Sequence, residues 1–266
     1  MNAMNTQKEK NEINFYKQKT LEIIEGRGYI DLPYHTHNSY IIGVITSGRL
    51  QLCIKEQEYH VGKGTVFIVP SNVGVSMQHE TSFAYRVFCF SQEAADYYNK
   101  MQPKELVVND IGVIIINLYE TYKKDGNQKE FMNSLAKVLH FIPKEDRNQN
   151  SPQVSTAKHQ LVQQAIDFME EHVEDKCSVE EVAARLYVSK YYFSRIFKDE
   201  MDITPKQYMI QTKLRRAKKL ILEEGNSTKV AVDMEYAAQS HLCSIFKRYM
   251  GISIGDYKRH LTIVEE

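Results

Sequence analysis

The sequence predicts an α+β protein. A small β-barrel or jelly roll with helices after it comes first, then an all-α unit of two helix-turn-helix modules joined by a long helix. Three observations carry this. Between Tyr34 and Ser91 apolar residues alternate with a period of two, and glycines punctuate the runs. From Pro143 to Ser155 the chain has two prolines and almost no apolar residues. Beyond that segment a thirteen-residue stretch occurs twice.

In the first part, Leu50, Leu52 and Ile54 alternate, as do Phe83, Tyr85, Val87 and Cys89, which is the period of half-buried strands. Gly43, Gly48, Gly62, Gly64 and Pro70 fall at turn-like spacing between the runs, the texture of a barrel or jelly roll. After Ser91 the pattern becomes helical over Glu93–Met101, Ile111–Lys123 and Glu130–Phe141, with Phe131, Leu135, Val138 and Leu139 on one stripe. Such helices pack on the outside of the barrel or on a second subunit, and both remain open at this point. The polar segment cannot build a core. It therefore divides the chain into residues 1–142, a linker at 143–155, and residues 156–266.

The repeat sets Ile196-Phe-Lys-Asp-Glu-Met-Asp-Ile-Thr-Pro-Lys-Gln-Tyr208 against Ile245-Phe-Lys-Arg-Tyr-Met-Gly-Ile-Ser-Ile-Gly-Asp-Tyr257, with six of thirteen positions identical. Two copies of one supersecondary unit account for it. In the first copy Ser178-Val-Glu-Glu181 reads as a capping box. Val179, Val182, Ala183 and Leu186 then line one helical face. Tyr187-Val-Ser189 breaks the helix, and Ser189 suits the N-cap of a second one. Phe193, Ile196 and Phe197 form its inner face, against Lys190, Tyr191, Ser194, Arg195 and Lys198 outside. A short helix that is apolar behind and basic or polar ahead is what entry into a major groove requires. The second copy runs from Ser227, with Val230, Ala231 and Met234 inward. Its second helix starts near Gln239 with Leu242, Ile245 and Phe246 behind and Ser240, His241, Ser244 and Lys247 outside. Between the copies, Lys206 to Glu223 reads as one helix with Ile210, Leu214, Ala217 and Ile221 inward. Such a rod is about 27 Å long at roughly 1.5 Å per residue, against about 34 Å between successive major-groove faces.

Charge supports the same reading locally. The chain of 266 residues is formally neutral. Arg185 to Lys219, however, holds ten Lys or Arg against three acids, Asp199, Glu200 and Asp202, a net of plus seven. The composition, 42% apolar and 26% charged, is that of a soluble globular protein. No apolar run is long enough to span a bilayer, and the polar first eighteen residues lack a secretory signal. The four cysteines are scattered without metal or redox spacing, which fits reduced thiols in the cytoplasm. No phosphate-cradling loop, nucleophile elbow or paired-carboxylate motif is present, so no enzymatic activity and no cofactor are expected.

The chain resembles the AraC/XylS family of bacterial transcriptional regulators from Lys158 to Arg259. The resemblance rests on Ser178 with Val182-Ala183, Ser189, Phe193-Ser-Arg-Ile-Phe-Lys198, Ile203-Thr204 with Tyr208, Leu214-Arg-Arg-Ala217, and Gln239-Ser-His-Leu242 with Phe246-Lys247, Gly251-Ile-Ser253 and Tyr257. It implies a sequence-specific DNA-binding regulator, an activator in the main reading. It also implies a cupin-like N-terminal domain that binds a small-molecule effector or mediates dimerisation. Tyr34-His-Thr-His37, Gly48, Gly62-Lys-Gly64 and Val69-Pro70 fit that cupin pattern. The implied partners are double-stranded promoter DNA, RNA polymerase, an effector and a second copy of the chain, with no membrane. The sequence departs from the family where Asp202 and Glu235 replace glycines, Ile254 a proline and Ser244 an arginine.

Arg195 is the leading base contact, since its guanidinium can donate twice to guanine; a phosphate contact or a surface ion pair is the competing role. Tyr191 and Ser194 share its face, and Ser240, His241 and Ser244 are their counterparts in the second copy. Lys190, Lys198, Lys213, Arg215, Gln239 and Lys247 are the expected phosphate contacts. His35, His37, Tyr40 and Tyr85 are expected to line an effector pocket. His35 and His37 have a chelating spacing, but Ile42 and Val75 stand where a carboxylate and a further histidine would complete a metal site. Two ligands are too few, so no metal is expected.

Overall fold

The computed structural model describes residues 11–55, 57–101, 105–109, 111–141, 156–175 and 177–263. The expected linker at 143–155 lies outside them. The first part is a sandwich of two curled sheets. Its strands are β1 (Glu12–Lys17), β2 (Leu21–Gly28), β3 (Leu32–Thr36), β4 (Tyr40–Ser47), β5 (Arg49–Ile54), β6 (Gln57–Gly62), β7 (Val66–Val69), β8 (Gly74–His79), β9 (Phe83–Phe90) and β10 (Leu106–Val108). The larger sheet runs β10-β7-β4-β9-β2-β1 and then takes in a last strand, β11 (Leu261–Ile263), from the far end of the chain. The smaller sheet runs β3-β8-β5-β6.

Alternation sorts the strands between two cores. Ile41 and Ile45 of β4 point between the sheets with Leu50, Leu52, Ile54, Phe67, Tyr85 and Val87. Tyr40, Ile42 and Val44 of the same strand point outward with Phe88 and Phe90. The outer face is covered by α1 (Gln92–Met101), α2 (Gly112–Asp125) and α3 (Gln128–Phe141). The helices after the barrel therefore pack on its outside, with Phe131, Leu135 and Leu139 buried as their stripe predicts. Gly43 departs from expectation. It sits inside β4 rather than at a turn, and a Cβ there would lie 1.9 Å from Cζ of Phe67, whose ring fills that space.

The helical part comprises α4 (Thr156–Glu171), α5 (Val179–Arg185), α6 (Lys190–Met201), α7 (Pro205–Glu224), α8 (Ser227–Asp233), α9 (Gln239–Met250) and α10 (Ile254–His260). α7 starts on a Thr204–Gln207 capping box with Pro205 in its first turn and stops at Gly225, in the left-handed conformation. The first helix-turn-helix has its own core: Val162, Ala165, Ile166 and Met169 of α4 against Val182, Phe193, Ile196, Phe197 and Tyr208. The second does not. Val230, Leu242, Phe246, Ile254 and Tyr257 belong to the core that fills the barrel. Phe15 of β1 meets Tyr257 edge-on at 4.8 Å, and β11 pairs in parallel with β1. The hydrophobic cores thus divide between the two modules rather than between the barrel and the helices. No described helix is long and apolar enough to cross a membrane.

Candidate DNA interface and effector cavity

The two modules are built alike. Ser178 accepts from the Glu181 N–H while Glu181 returns a bond to the Ser178 N–H, closing the expected box at the head of α5. In the first turn the N–H groups of Tyr187 and Val188 donate to the carbonyls of Ala184 and Ala183. In the second, Glu235 and Tyr236 donate to Val232 and Ala231. Tyr187 (φ 56°) and Glu235 (φ 49°) both occupy the left-handed region, as does Asp202 (φ 57°) after α6. Ser189 caps α6 by accepting from the Tyr192 N–H, and α8 is capped by Asn226. Ala238, at the head of α9, has no side chain to do so.

On α6 the buried ridge is Phe193, Ile196, Phe197 and Met201. The opposite face exposes Tyr191 (87%), Arg195 and Lys198, with Ser194 half-buried beside them. The Arg195 guanidinium lies 5.7 Å over the Tyr192 ring. Lys190 Nζ stands 2.5 Å from Glu180 Oε1. Lys190, Ser194, Lys206 and Lys213 line one cleft between α6 and α7, and Lys213 Nζ sits 5.6 Å from the Tyr236 ring.

Arg215 requires a correction. Two residues beyond Lys213, it lies about 200° further round the helix and faces the barrel instead. Its Nη2 donates to Thr212 Oγ1 (2.7 Å), and its guanidinium rests 5.5 Å over the Tyr208 ring. The rod does not present it as a phosphate contact beside Lys213.

On α9, Gln239 donates to Ser227 Oγ (2.9 Å), Ser240 and His241 are exposed, and the His241 ring meets Tyr236 edge-on at 5.8 Å. Ser244 and Lys247 are exposed too. They face a cleft whose other wall is the barrel, with Asn11, Tyr29, Asp31, Tyr34 and Gln78. The outer face of the second recognition helix is therefore divided, and only its first turn looks away from the barrel.

Between the barrel and α7 lies a second expected feature. An apolar space inside the sandwich is lined by Phe15, Ile41, Phe67, Val87, His35, His37 and Tyr85. It continues past His35, His37, Cys89 and Met250 into a cavity of about 320 Å³ against α7, lined by Gln211, Leu214, Arg215, Lys218 and Leu222. His35, His37 and Tyr85 are thus brought together. Tyr40 is not: it points to the opposite side of the sheet, stacked on Tyr98 at 5.6 Å beneath α1, because residues 40 and 41 of one strand face opposite ways.

The cavity is electrostatically uneven. Burial lowers the His35 pKa, and Arg215 adds to that against the bond to the Pro33 carbonyl (2.6 Å). Burial also holds His37 well below the usual histidine value, helped by the His35 ring and by the charges of Arg215 and Lys218. Both are neutral at pH 7. For Lys218, burial alone would lower the pKa. The Glu22 carboxylate, with oxygens 2.9 and 3.1 Å from Nζ, raises it instead. Gln211 Oε1 accepts from both the N–H (2.9 Å) and the hydroxyl (3.2 Å) of Thr36, which leaves its buried Nε2 without a partner. No group of three or more metal-ligating side chains occurs among the described residues.

Sequence reasoning missed Glu22, Thr36, Gln211 and Lys218. The available signal was that Gln211 and Lys218 fall on the inward stripe of α7, beside Leu214 and Ala217, where a polar residue needs a buried partner.

Comparison with known proteins agrees with this architecture. Residues 21–162 match the model of the AraC-like ligand binding domain, and residues 182–260 match a helix-turn-helix domain model. An uncharacterised HTH-type transcriptional regulator of Haemophilus influenzae is 21% identical over 84% of this chain and 87% of its own. The lactose operon transcription activator of Staphylococcus xylosus is 17% identical over 86% and 87%. Among solved structures, apo ToxT from Vibrio cholerae shares the fold at a TM-score of 0.58 and 12% identity, over 95% of this chain and 97% of that one. Unsaturated fatty acid-bound ToxT does so at 0.52 and 15%, over the whole of both chains. With more than half of its length matched by the ligand-domain model and the double helix-turn-helix behind it, the chain belongs to the AraC/XylS family of transcriptional regulators.

Proposed function

We propose that this regulator reads its operator chiefly through α6, with α9 as the weaker reader, and acts as an activator whose state is set by a small molecule held between the barrel and α7. The observation that carries the reading is the division of α6 into a buried aromatic ridge and an outward face of Tyr191, Ser194, Arg195 and Lys198. Arg195 and Tyr191 meet base edges; Ser194 supports them. Lys190, Lys198 and Lys213 hold phosphates. On α9, Ser240 and His241 reach bases and Gln239 a phosphate, while Ser244 and Lys247 join them once the cleft to the barrel opens. DNase footprinting on the DNA upstream of the chain's own gene tests the reading. Two protected segments about one helical turn apart are expected, and an unprotected duplex at low salt refutes it.

The cavity suits an amphipathic anion. Its apolar end lies inside the sandwich, Arg215 stands at the other end, and Gln211 Nε2 is a buried donor in want of an acceptor. The fatty acid bound by ToxT, a structural neighbour, is of that chemical kind. Val113 and Ile114, exposed on α2, support a homodimer through the barrel helices. The activator named among the relatives supports contact with RNA polymerase in the cytoplasm. The protein works without catalysing a reaction.

A further inference from the structure

Tyr187, in the turn that precedes α6, is 94% exposed, and Tyr191, in the first turn of the helix, is 87% exposed. Its φ of 56° places it where a side chain is disfavoured and glycine is not. The turn needs only a backbone able to take that conformation: Val188 packs against the module's core and Ser189 caps the helix. A large aromatic ring that gains nothing from burial and sits at a strained position points to a role outside the fold. Its setting names the occupant. The N-terminal turn of a recognition helix is the part that meets the duplex; Lys190 stands in that turn, and Arg195 and Lys198 continue along α6 on the face that Tyr191 begins. Glu235, at the same position in the second module, carries a charge that a phosphate repels, so the two turns are not interchangeable.

We propose that Tyr187 is a DNA-backbone contact: its hydroxyl donates to a phosphate flanking the groove entered by α6, and its ring lies against the adjoining deoxyribose. This rests on the DNA-binding reading above. The contact positions the helix and carries no sequence information, while Tyr191, deeper in the groove, faces the bases.

The test uses the full-length protein and the duplex it selects from a random-sequence pool, with a scrambled duplex of equal length beside it. Tyr187→Gly separates binding from folding, because glycine suits the turn. Its melting temperature should equal or exceed that of the unaltered protein. Its affinity should fall about fivefold on both duplexes, the scale of one net hydrogen bond. The dependence of log K on log salt should be unchanged, since no cation is lost. Tyr187→Phe should show most of the same loss. Binding of Tyr187→Gly within twofold of the unaltered protein on both duplexes overturns the assignment. So does a loss confined to the selected duplex, which would mean a base contact. Reduced reporter transcription at unchanged affinity would assign the residue to a protein partner and also overturn it. Failure of the unaltered protein to select any duplex sinks the DNA-binding reading itself, and Tyr187 with it.

Discussion

The ion pair between Lys218 of α7 and Glu22 of β2 offers a direct measure of how firmly the rod between the modules is tied to the barrel. Both carboxylate oxygens lie within 3.1 Å of Nζ, and each side chain keeps 21% of its exposure. The lysine stem passes beside two aromatic rings, with Nζ 5.6 Å from Phe15 and 5.2 Å from Tyr257. Removing one partner of a fully buried pair costs about 3–5 kcal/mol, because the other charge is left without compensation. Residual solvent access reduces this, so Glu22→Gln should destabilise the protein by about 2–3 kcal/mol. Replacing both partners is a different perturbation. Glu22→Leu with Lys218→Met removes the desolvation cost along with the attraction and keeps the stem on the rings. The double variant should fall within about 1 kcal/mol of the unaltered protein. Urea unfolding at pH 7, followed by far-ultraviolet circular dichroism because the chain has no tryptophan, compares the unaltered protein with the single and the double variant. A Glu22→Gln cost below about 0.5 kcal/mol, or a double variant no more stable than the single one, would show that solvent already compensates Lys218 and that the pair does not hold the seam.

Arg195→Ala should weaken binding to the selected duplex by about 1–3 kcal/mol while sparing a scrambled one; equal loss on both, by fluorescence anisotropy, would make it a phosphate contact. Ser178→Ala, which opens the capping box of α5, should cost about 1 kcal/mol in thermal melts, and Ser178→Asp should restore most of it. For His35 and His37 the folded pKa lies below the unfolded value of about 6.5. The unfolded chain therefore binds their protons first, so stability is full above about pH 6.5 and declines as pH falls toward the lowered folded values. The double substitution His35→Asn with His37→Asn should flatten that limb of a melting-temperature profile, and an unchanged slope would place its origin elsewhere.

Legibility in the sequence followed the strength of the local signal. The modules are plain there because caps, turns and the triplet Phe193, Ile196, Phe197 lie within a few residues of one another, and helices are dictated locally. Strands are not. β1 and β2 went unread because Glu12–Lys17 holds only Ile13 and Phe15 as regular inward residues, and Glu22 and Glu25 interrupt Leu21–Gly28. Their edges are satisfied by β9 and β11, which are distant in sequence. β11 has three residues and no pattern of its own; only a partner some 245 positions away makes it a strand, as Phe15 pairing with Leu261 shows. Tyr40 and Arg215 were misplaced for a related reason. Each is of the right chemical type for its expected role, but each stands on the wrong side of its element, and side is a matter of phase, which composition does not carry.

The same phase argument says what α7 does. Tyr208 near its start belongs to the first module's core, whereas Leu214, Ala217 and Ile221 belong to the core shared by the barrel and the second module. Gln211 and Arg215 between them form the cavity wall, and Lys213, on the other side of the helix, lines the cleft beside Lys190 and Ser194 of α6. One rod therefore touches the cavity with one face and the first recognition helix with the other. The second recognition helix needs no such relay, since it shares its core with the strands that enclose the cavity. A ligand that shifts α7 against the barrel disturbs the packing of both modules, because the rod contributes Tyr208 to one core and Leu214, Ala217 and Ile221 to the other. The separation of the modules is the quantity that a duplex with fixed helical repeat selects, so control by the cavity is control over spacing before it is control over any single contact.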